Sequence, residues 1–535
     1  MRKVISKTTI VLFAAALLMV GCKNEADQTF KLEIPQYTGG DKTTFGTGNT
    51  TQWSAGDGVL INAISGTVRN QSGTAVVDID PVTPVNNMYY SLYAGRATSP
   101  SFNGENGYSF TMPTSFTYNA NQLQAPMAGQ CEYIDGEHVH TIVYSNIFTL
   151  LRLDFVVIPS EVTITSESTA ITGEFTVTYA DGEWTLTAPA ADNSNKTLTI
   201  SNPNWESVMY VPLPAGTHKL TIEGKTFTKA MTHAVTMQKG VFYPIKCAHA
   251  FSVSSSRKVY FSPGNFQYYN TSNYGTPVAG IGWNGDNGNM YWDDNNTCAR
   301  FAPNQWDRQL SNNRQEQTRL LVTYARPATN TWIDLFGWGT GTIPGYNIAD
   351  ASATGSEIAY DEWDDWGQYY GDRANSVSHC TGSWFTMSSN QWSYLLNITS
   401  NTIRNGKCRI GSVNGVPGLI IAPDDYSGSI PASINASTWT SNYQKHGLVF
   451  LPSGGHMDYM ANVNYSWGFR SDFGGYWTST PETGETISYR KAYLVELPEG
   501  ASGNPSITER SMCRTALNNG NRPGKLCVRL VQYAN

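Results

Sequence analysis

Residues 174–186 read EFTVTYADGEWTL, and this stretch decides how the first half of the chain folds. Apolar residues alternate with polar ones before the dipeptide Asp181-Gly182 and alternate again after it, at Phe175, Val177, Tyr179, Trp184 and Leu186. An Asp-Gly pair between two alternating runs is a strong short-range hairpin signal. The stretch therefore predicts two antiparallel strands with one buried face.

The same pattern continues over residues 46–247, where helical periodicity is nearly absent. Antiparallel strands with one apolar face favour a β-sandwich. The whole chain has 535 residues, 14% charged residues and 12% aromatic residues. That is too aromatic for a disordered chain. The net charge is −7 and no long run of Lys or Arg occurs, so nucleic acid is excluded as an expected partner.

The N-terminal 21 residues have the layout of a secretory signal. Arg2, Lys3 and Lys7 precede an apolar run over residues 10–20, which spans 11 residues and ends at Gly21-Cys22. A bilayer span needs about 20 apolar residues, so the run is too short to be one. Residues 1–21 therefore predict a lipoprotein signal peptide, with Cys22 as the lipidated residue. We expect the mature protein to be held in the outer membrane by lipid, at the cell surface.

Residues 22–45 are predicted to be a polar tether. Residues 23–27 read KNEAD, which resembles the short signals that send lipoproteins of Bacteroides-like bacteria to the cell surface. A plain hydrophilic spacer is the alternative interpretation of this stretch.

The first half of the chain resembles the fimbrillin-like (Mfa-like) family of Bacteroidales surface lipoproteins. The resemblance implies two transthyretin-like β-sandwiches, at 46–155 and 156–247, and a role in pili or surface adhesion. It also implies fimbrial subunits as partners through donor-strand exchange. The motifs that carry it are WSAGDGV (53–59), YSLY (90–93), APMA (125–128), FTLLRL (148–153) and VPLPAG (211–216).

One departure from that family affects the expected role. Its polymerising pilins are cut after an Arg near the N-terminus, which frees a groove for a neighbour's strand. Here no Arg occurs between Cys22 and Arg69, and Arg69 lies inside the first predicted sandwich. We therefore expect a tip or anchor component rather than a shaft subunit.

The composition changes near residue 250, and 12 of the 15 Trp residues follow residue 280. Residues 256–535 resemble the "major paralogous" surface domains of Bacteroidales, whose fold is similar to C-type lectins and to the formylglycine-generating enzyme. The expected fold class is thus mostly β, with a mixed α+β C-terminal domain. The motifs are VYFSPGNFQY (259–268), FAPNQWD (301–307), WIDLFGWGT (332–340), DWG (365–367), QWSYLL (391–396), VFLP (449–452), GYWTST (475–480) and VRLV (528–531).

Local patterns within this region predict particular elements. Ser388 and Gln391 have the spacing of a capping box, and an apolar face at i, i+3 and i+4 follows from Trp392. Residues 419–421 (LII) predict a buried strand. Most motif Trp and Gly residues are therefore expected to be core and turn residues.

The densest acidic-aromatic stretch is residues 361–372, DEWDDWGQYYGD. Aromatic faces stack on sugar rings, and carboxylates bind hydroxyls or Ca²⁺. The stretch lacks EF-hand spacing and the Glu-Pro-Asn and Gln-Pro-Asp signatures of calcium-dependent lectins. Its candidate ligand-binding residues are Trp363, Asp364, Tyr369 and Tyr370. A solvated loop is the alternative.

Other constellations carry weaker signals. His138 and His140 stand two apart on a predicted strand, but two ligands make an incomplete metal site, so no metal is expected. In each of the acidic pairs 293–294 and 424–425, the two adjacent side chains are predicted to point in opposite directions. Cys513 and Cys527 flank a turn-rich segment and are a candidate disulfide. No catalytic or nucleotide-binding motif occurs, and neither enzymatic activity nor a cofactor is expected.

The sequence therefore predicts a cell-surface lipoprotein adhesin, a pilus-tip or anchor-type component with a lectin-like binding domain. Its expected partners are a glycan or a surface protein. Two alternatives stay open: a glycan-binding lipoprotein of a nutrient-uptake system, and a structural envelope lipoprotein.

Overall fold

The computed structural model describes residues 28–34, 38–39, 53–71, 74–120, 125–270, 283–284, 289–290, 299–308, 331–333, 366–398, 400–454, 457–458, 474–481, 491–497, 505–511 and 524–534. Strands dominate the first half of the chain. They are β1 (Thr29–Glu33), β2 (Thr38–Gly39), β3 (Gly58–Ile61), β4 (Ile64–Gln71), β5 (Thr74–Asp78), β6 (Met88–Tyr93), β7 (Thr98–Phe102), β8 (Gly107–Met112), β9 (Ser115–Thr117), β10 (Met127–Glu132), β11 (Val139–Asn146), β12 (Phe148–Phe155), β13 (Glu161–Ser166), β14 (Gly173–Ala180), β15 (Glu183–Thr187), β16 (Thr197–Ser201), β17 (Val208–Pro214), β18 (Gly216–His218), β19 (Leu220–Glu223), β20 (Thr228–Ala230), β21 (Val235–Met237) and β22 (Val241–Cys247).

The second half combines short strands with a few helices. The strands are β23 (Phe251–Ser252), β24 (Lys258–Phe261), β25 (Phe266–Asn270), β26 (Trp283–Asn284), β27 (Asn289–Met290), β28 (Ala299–Phe301), β29 (Thr331–Ile333), β30 (Phe385–Thr386), β31 (Cys408–Val413), β32 (Val416–Ile421), β33 (Ser433–Ile434), β34 (Val449–Pro452), β35 (Met457–Asp458), β36 (Gly474–Pro481), β37 (Lys491–Leu497), β38 (Ser506–Ser511), β39 (Gly524–Lys525) and β40 (Leu530–Tyr533). The helices are α1 (Trp366–Ser378), α2 (Ser389–Leu395), α3 (Ala436–Thr438) and a π-helical turn at Trp439–Gln444. The fold is mostly β, as predicted. In the described part of the chain, no helix is long and apolar enough to cross a membrane.

The first sheet closes on itself in the order β1-β11-β10-β6-β3-β4-β5. β1 completes the closure, because it pairs in parallel with β11 and antiparallel with β5. Phe30 and Leu32 of β1 point into the core of this sheet, whereas Lys31 is exposed. The tether predicted for residues 22–45 is therefore wrong at residues 29–33. The alternation of Phe30, Lys31, Leu32 and Glu33 is the strand signal that the polar surroundings obscured.

The hairpin predicted for residues 174–186 forms as β14 and β15, which pair Tyr179 with Trp184. Asp181 and Gly182 have φ of 52° and 84°, so both turn residues are left-handed, as a type I′ hairpin requires. β14 also pairs with β8. Trp184 consequently packs in one core with Tyr90 and Phe110.

The division expected between residues 155 and 156 does not separate two sets of strands. β8, from before the division, pairs with β14, from after it. β12 lies before the division, but it pairs with β17 and β22, which lie after it. A hairpin sequence determines how its own two strands pair, but it does not determine which sheet edge the hairpin joins.

A second core lies between two further sheets, ordered β17-β12-β22-β2 and β20-β19-β13-β16-β9. Some of the fully buried apolar side chains of this core come from strands with clean alternation, such as Val162 and Ile164 of β13. The members from β12 are Leu151, Leu153 and Phe155.

The C-terminal region begins at Phe251 rather than at residue 256. Phe251, Ser252 and Val253 are buried in that region's core, although their Ser-rich surroundings predict a junction. α2 has the predicted capping box, in which Ser388 accepts from the Gln391 amide and Gln391 accepts from the Ser388 amide. The predicted strand at 419–421 is buried within β32.

The Trp residues in the described parts of this region are largely core residues, as predicted. Trp392, Trp439 and Trp477 are among the largest fully buried side chains of the chain. Trp392 packs in a core with Leu395, Leu419 and Tyr476. Most aromatic side chains described in this region therefore serve core packing. Candidate binding residues are those whose side chains stay accessible.

We expect Phe30→Ala to destabilise the protein by about 3–5 kcal/mol. Phe30 is fully buried and packs edge-on against Tyr89, with ring centroids 5.0 Å apart. The control is Lys31→Ala, on the same strand but with an exposed side chain. Chemical denaturation of both variants measures the difference, and equal midpoints would contradict the place of β1 in the core.

Candidate functional site

The structure describes only part of the sequence-predicted site. Cys22, Trp363, Asp364 and Cys513 lie outside the described residues. Tyr369 and Tyr370 lie in the first half of α1, where only the backbone is described. Cys527 is buried in the C-terminal core, and its pairing with Cys513 stays a prediction.

An open cleft with a volume of about 690 Å³ lies where the acidic-aromatic stretch ends. One wall is α1 at Gly371 and Asp372, the last residues of that stretch. The rest is formed by the segment 382–386, the end of β40, Gln391 of α2 and Ser479 of β36. The side chains that matter for binding are those of Asp372, Ser383, Phe385, Gln391, Ser479 and Tyr533.

The floor of the cleft is made by strand pairing between distant parts of the chain. β30 pairs with β40, with Phe385 opposite Val531. This pairing brings the rings of Phe385 and Tyr533 to a centroid distance of 4.4 Å. Tyr533 is 41% exposed, so part of an aromatic pair remains open to a ligand.

Polar groups hold Tyr533 in this position. Gln391 Nε2 donates to the Tyr533 hydroxyl at 3.3 Å, while Gln391 Oε1 accepts from the Ser388 amide at 2.9 Å. Arg257 lies 5.5 Å from the Tyr533 ring centroid. The capping residue of α2 therefore also orients an aromatic side chain of the cleft.

Asn375 ties the two walls of the cleft together. Its Oδ1 accepts from Trp384 Nε1 at 2.6 Å, and its Nδ2 donates to the Gly382 carbonyl at 2.9 Å. Gly382 has φ of 93°, and a Cβ there would lie 1.9 Å from Gln532 Oε1. The left-handed backbone conformation favours glycine at this position, and a side chain there would also have to displace the end of Gln532.

The cleft combines a partly exposed aromatic pair with amide, hydroxyl and carboxylate groups. An apolar surface with a few convergent polar groups is the usual composition of a ligand site. Aromatic faces bind the C–H faces of sugar rings, while side-chain amides and carboxylates bind hydroxyls. This arrangement suits the binding of a polar, ring-containing ligand.

The two histidines considered for a metal site differ in burial. His140 is buried beside Phe30 and Tyr89, whereas His138 precedes β11 and is exposed. No group of three or more His, Cys, Asp or Glu side chains that could hold a metal ion occurs among the residues the structure describes.

Asp424 and Asp425 face different partners, as their adjacency predicts. Asp424 accepts from Ser252 and pairs with Lys258 and Arg404, at 3.1 and 3.0 Å. Burial works against its ionisation, but the bonds from Ser252 and these cations keep the pKa of Asp424 below its usual range.

Asp425 faces the second core instead. It lies 3.5 Å from His249 Nδ1 and 3.4 Å from Lys229 Nζ. The contact with His249, assisted by Lys229, holds the pKa of Asp425 well below its usual range. These carboxylates are structural ion-pair partners on opposite sides of the chain.

Sequence reasoning missed Asn375, Phe385 and Tyr533. Phe385 and Tyr533 meet only because β30 pairs with β40, and no local pattern shows such a contact. Asn375 had a weak signal, since it is a polar residue near the end of a helix, where its side chain can bond the following backbone.

No protein-family model matches the chain, and no curated protein matches it. Among solved structures, the chain is similar to a candidate cell adhesion protein from Bacteroides ovatus, with a TM-score of 0.29, 12% identity and coverage of 42% of this chain and 93% of that one. It is similar to a fimbrial protein from Bacteroides ovatus, with a TM-score of 0.24, 11% identity and coverage of 95% and 99%. It is also similar to the fimbrial anchor protein Mfa2 from Porphyromonas gingivalis, with a TM-score of 0.18, 9% identity and coverage of 38% and 82%. Scores this low do not establish a shared fold, so the role of this chain is inferred from its own residues.

We expect Asn375→Ala to destabilise the C-terminal region by about 1–3 kcal/mol, because the buried Trp384 Nε1 loses its acceptor. Ser376→Ala is the matched control, since Ser376 is exposed one position along the same helix. The free energy of unfolding measures the effect. Asn375 would have no clamping role if both variants unfold at the same denaturant concentration.

Proposed function

We propose that this protein is a lipid-anchored cell-surface adhesin that binds its ligand in the cleft beside α1. The observation that carries the proposal is the open cleft with the partly exposed Phe385–Tyr533 pair. Most large apolar side chains elsewhere in the described C-terminal region are buried in its cores. An aromatic pair that is held in place yet accessible is best explained by a ligand.

The anchor in this proposal is the lipid on Cys22. The apolar run over residues 10–20 is long enough for a signal peptide and too short to span a bilayer. β1 begins at Thr29, so only a few residues would separate the lipid from the first sheet. Such a short link would hold the first sheet near the membrane.

The state of β1 supports a tip or anchor role rather than a shaft role. In the fimbrillin-like family that the sequence resembles, removal of an N-terminal strand frees a groove for a neighbour's strand. Here β1 fills the place between β5 and β11 with its own apolar residues. No Arg stands between Cys22 and this strand. Fimbrial partners, if the chain has them, would then pair with another sheet edge.

A second candidate function is glycan capture for a nutrient-uptake system. The aromatic and hydroxyl-bearing lining of the cleft favours it as much as it favours adhesion, because both use carbohydrate binding. The two differ in what is bound: an adhesin binds glycans on another surface, and an uptake component binds soluble oligosaccharides that the cell consumes.

We expect Cys22→Ser to abolish lipid attachment to the protein. The serine cannot receive a thioether-linked lipid. Labelling of expressing cells with radioactive palmitate measures the attachment. Palmitate incorporation that survives the substitution would contradict lipidation at this residue.

We expect Tyr533→Ala to weaken binding on a glycan array by the chain produced without residues 1–22, which carry the apolar run and the lipidated cysteine. Loss of one stacking aromatic weakens a carbohydrate site by roughly tenfold or more. Tyr394→Ala is the control, because Tyr394 is a half-buried tyrosine of the same region that does not line the cleft.

Two outcomes of that array would count against the proposal. Equal glycan binding by Tyr533→Ala and Tyr394→Ala would place the site elsewhere. Absence of any glycan signal from the parent chain would favour a protein ligand or the structural envelope role.

A further inference from the structure

The second core and the C-terminal region are joined by main-chain hydrogen bonds. The segment after β12 lies beside the segment after α1, and Val157 forms a bridge with Cys380. The Ile158 amide donates to the His379 carbonyl at 2.7 Å, and the Thr381 amide donates to the Val156 carbonyl at 2.9 Å. We call residues 155–158 and 378–381 the junction.

A side-chain bond and buried apolar surface strengthen the junction. Thr381 Oγ1 donates to the Phe155 carbonyl at 2.6 Å. Val156 is 2% exposed and packs in the C-terminal core with Tyr260 and Trp384. A residue of the β12 segment is thus part of the hydrophobic core beneath the cleft.

Residues 378–381 of the junction connect the two walls of the cleft along the chain. α1 contributes Gly371 and Asp372 to one wall and ends at Ser378. The other wall begins at Gly382, and Asn375 ties both walls together. Any shift of residues 378–381 therefore moves one cleft wall relative to the other.

An aromatic stack also contacts the junction, at His379. The rings of Trp205 and His379 lie 3.6 Å apart at an angle of 7°. Both residues are left-handed, with φ of 53° and 50°. That conformation is uncommon for side chains of this size and persists where the surroundings impose it.

The loop that carries Trp205 is itself fixed by a buried side chain. Asn202 is fully buried and donates to the carbonyls of Pro159 and Glu206, both at 3.1 Å. The Glu206 amide donates back to Asn202 Oδ1 at 2.9 Å. Trp205 is therefore presented to His379 by a rigid part of the second core.

A separate set of polar contacts joins the same two regions. The Thr228 amide donates to the Lys445 carbonyl at 2.6 Å. Lys229 pairs with Asp425. Two independent contact sets prevent the C-terminal region from rotating freely about the junction.

We propose that the second core sets the shape of the cleft through the junction, with Trp205 as a positioning residue. Trp205 holds His379, His379 fixes the end of α1, and the end of α1 fixes the spacing of the cleft walls. The mechanical link itself does not depend on the proposed function. Its consequence for binding does rest on the cleft being the ligand site.

The test is amide hydrogen exchange by mass spectrometry on the full ligand-free chain with Trp205→Ala. Loss of the stack should speed exchange roughly two- to tenfold at Ile158 and Thr381 and across residues 382–386. Exchange within β13 and β16 of the second core should not change. Trp205→Phe, which keeps an aromatic ring, should restore most of the protection.

Thr381→Val serves as a second variant, because it removes only the bond to the Phe155 carbonyl. The same residues should exchange faster in it. Faster exchange at Ile158 and Thr381 with unchanged exchange at 382–386 would overturn the proposal, since the junction would then hold the regions together without shaping the cleft. Unchanged exchange at all these positions in both variants would overturn it as well.

These measurements need no ligand. A negative glycan array therefore bears on the proposed function alone, and unchanged hydrogen exchange bears on the positioning role alone.

Discussion

The structure depends most on one continuous stretch, residues 148–158, which contributes to several hydrophobic cores. β12 is hydrogen-bonded to β17 on one side and to β22 on the other. Phe148 packs with Phe175 in the core that also contains Trp184, whereas Leu151 and Leu153 lie in the second core. Val156, just beyond the strand, belongs to the C-terminal core. Because a strand in the middle of a sheet cannot slip without turning its side chains to the wrong faces, these cores are held in one register.

This stretch also explains how a mostly β chain builds a binding cleft far from its N-terminus. The cleft walls are a helix and a short strand that would have little support from each other alone. Asn375 joins them locally, and the junction braces them against the second core. A ligand site needs supporting residues whose own positions are fixed, and here that support comes from a different part of the chain.

Local sequence patterns predicted the elements well where they carry their own stop and turn signals. The Asp181-Gly182 hairpin and the Ser388–Gln391 capping box both form as predicted, because each is specified by residues a few positions apart. The closure of the first sheet by β1 was not predicted, although Phe30 and Leu32 alternate with charged neighbours. Four alternating residues in polar surroundings are a weak signal, and their meaning depends on the distant strands β5 and β11.

The sequence predicted the approximate location of the candidate site but not its main aromatic residues. The acidic-aromatic stretch does end in a cleft wall, at Asp372, but the aromatic pair at its floor comes from Phe385 and Tyr533. These side chains meet through strand pairing across the C-terminal region. Gly382, between α1 and Phe385 in the chain, has a left-handed backbone conformation that favours glycine. Long-range pairing of this kind leaves no trace in residue spacing.

Protease shaving of intact bacterial cells that make this chain tests the central claim most directly. Antibodies against residues 1–250 and against the C-terminal region would follow each part. A surface adhesin predicts that the C-terminal region is recognised and cleaved on intact cells. Full protection until the outer membrane is permeabilised would place the cleft inside the envelope and contradict the account.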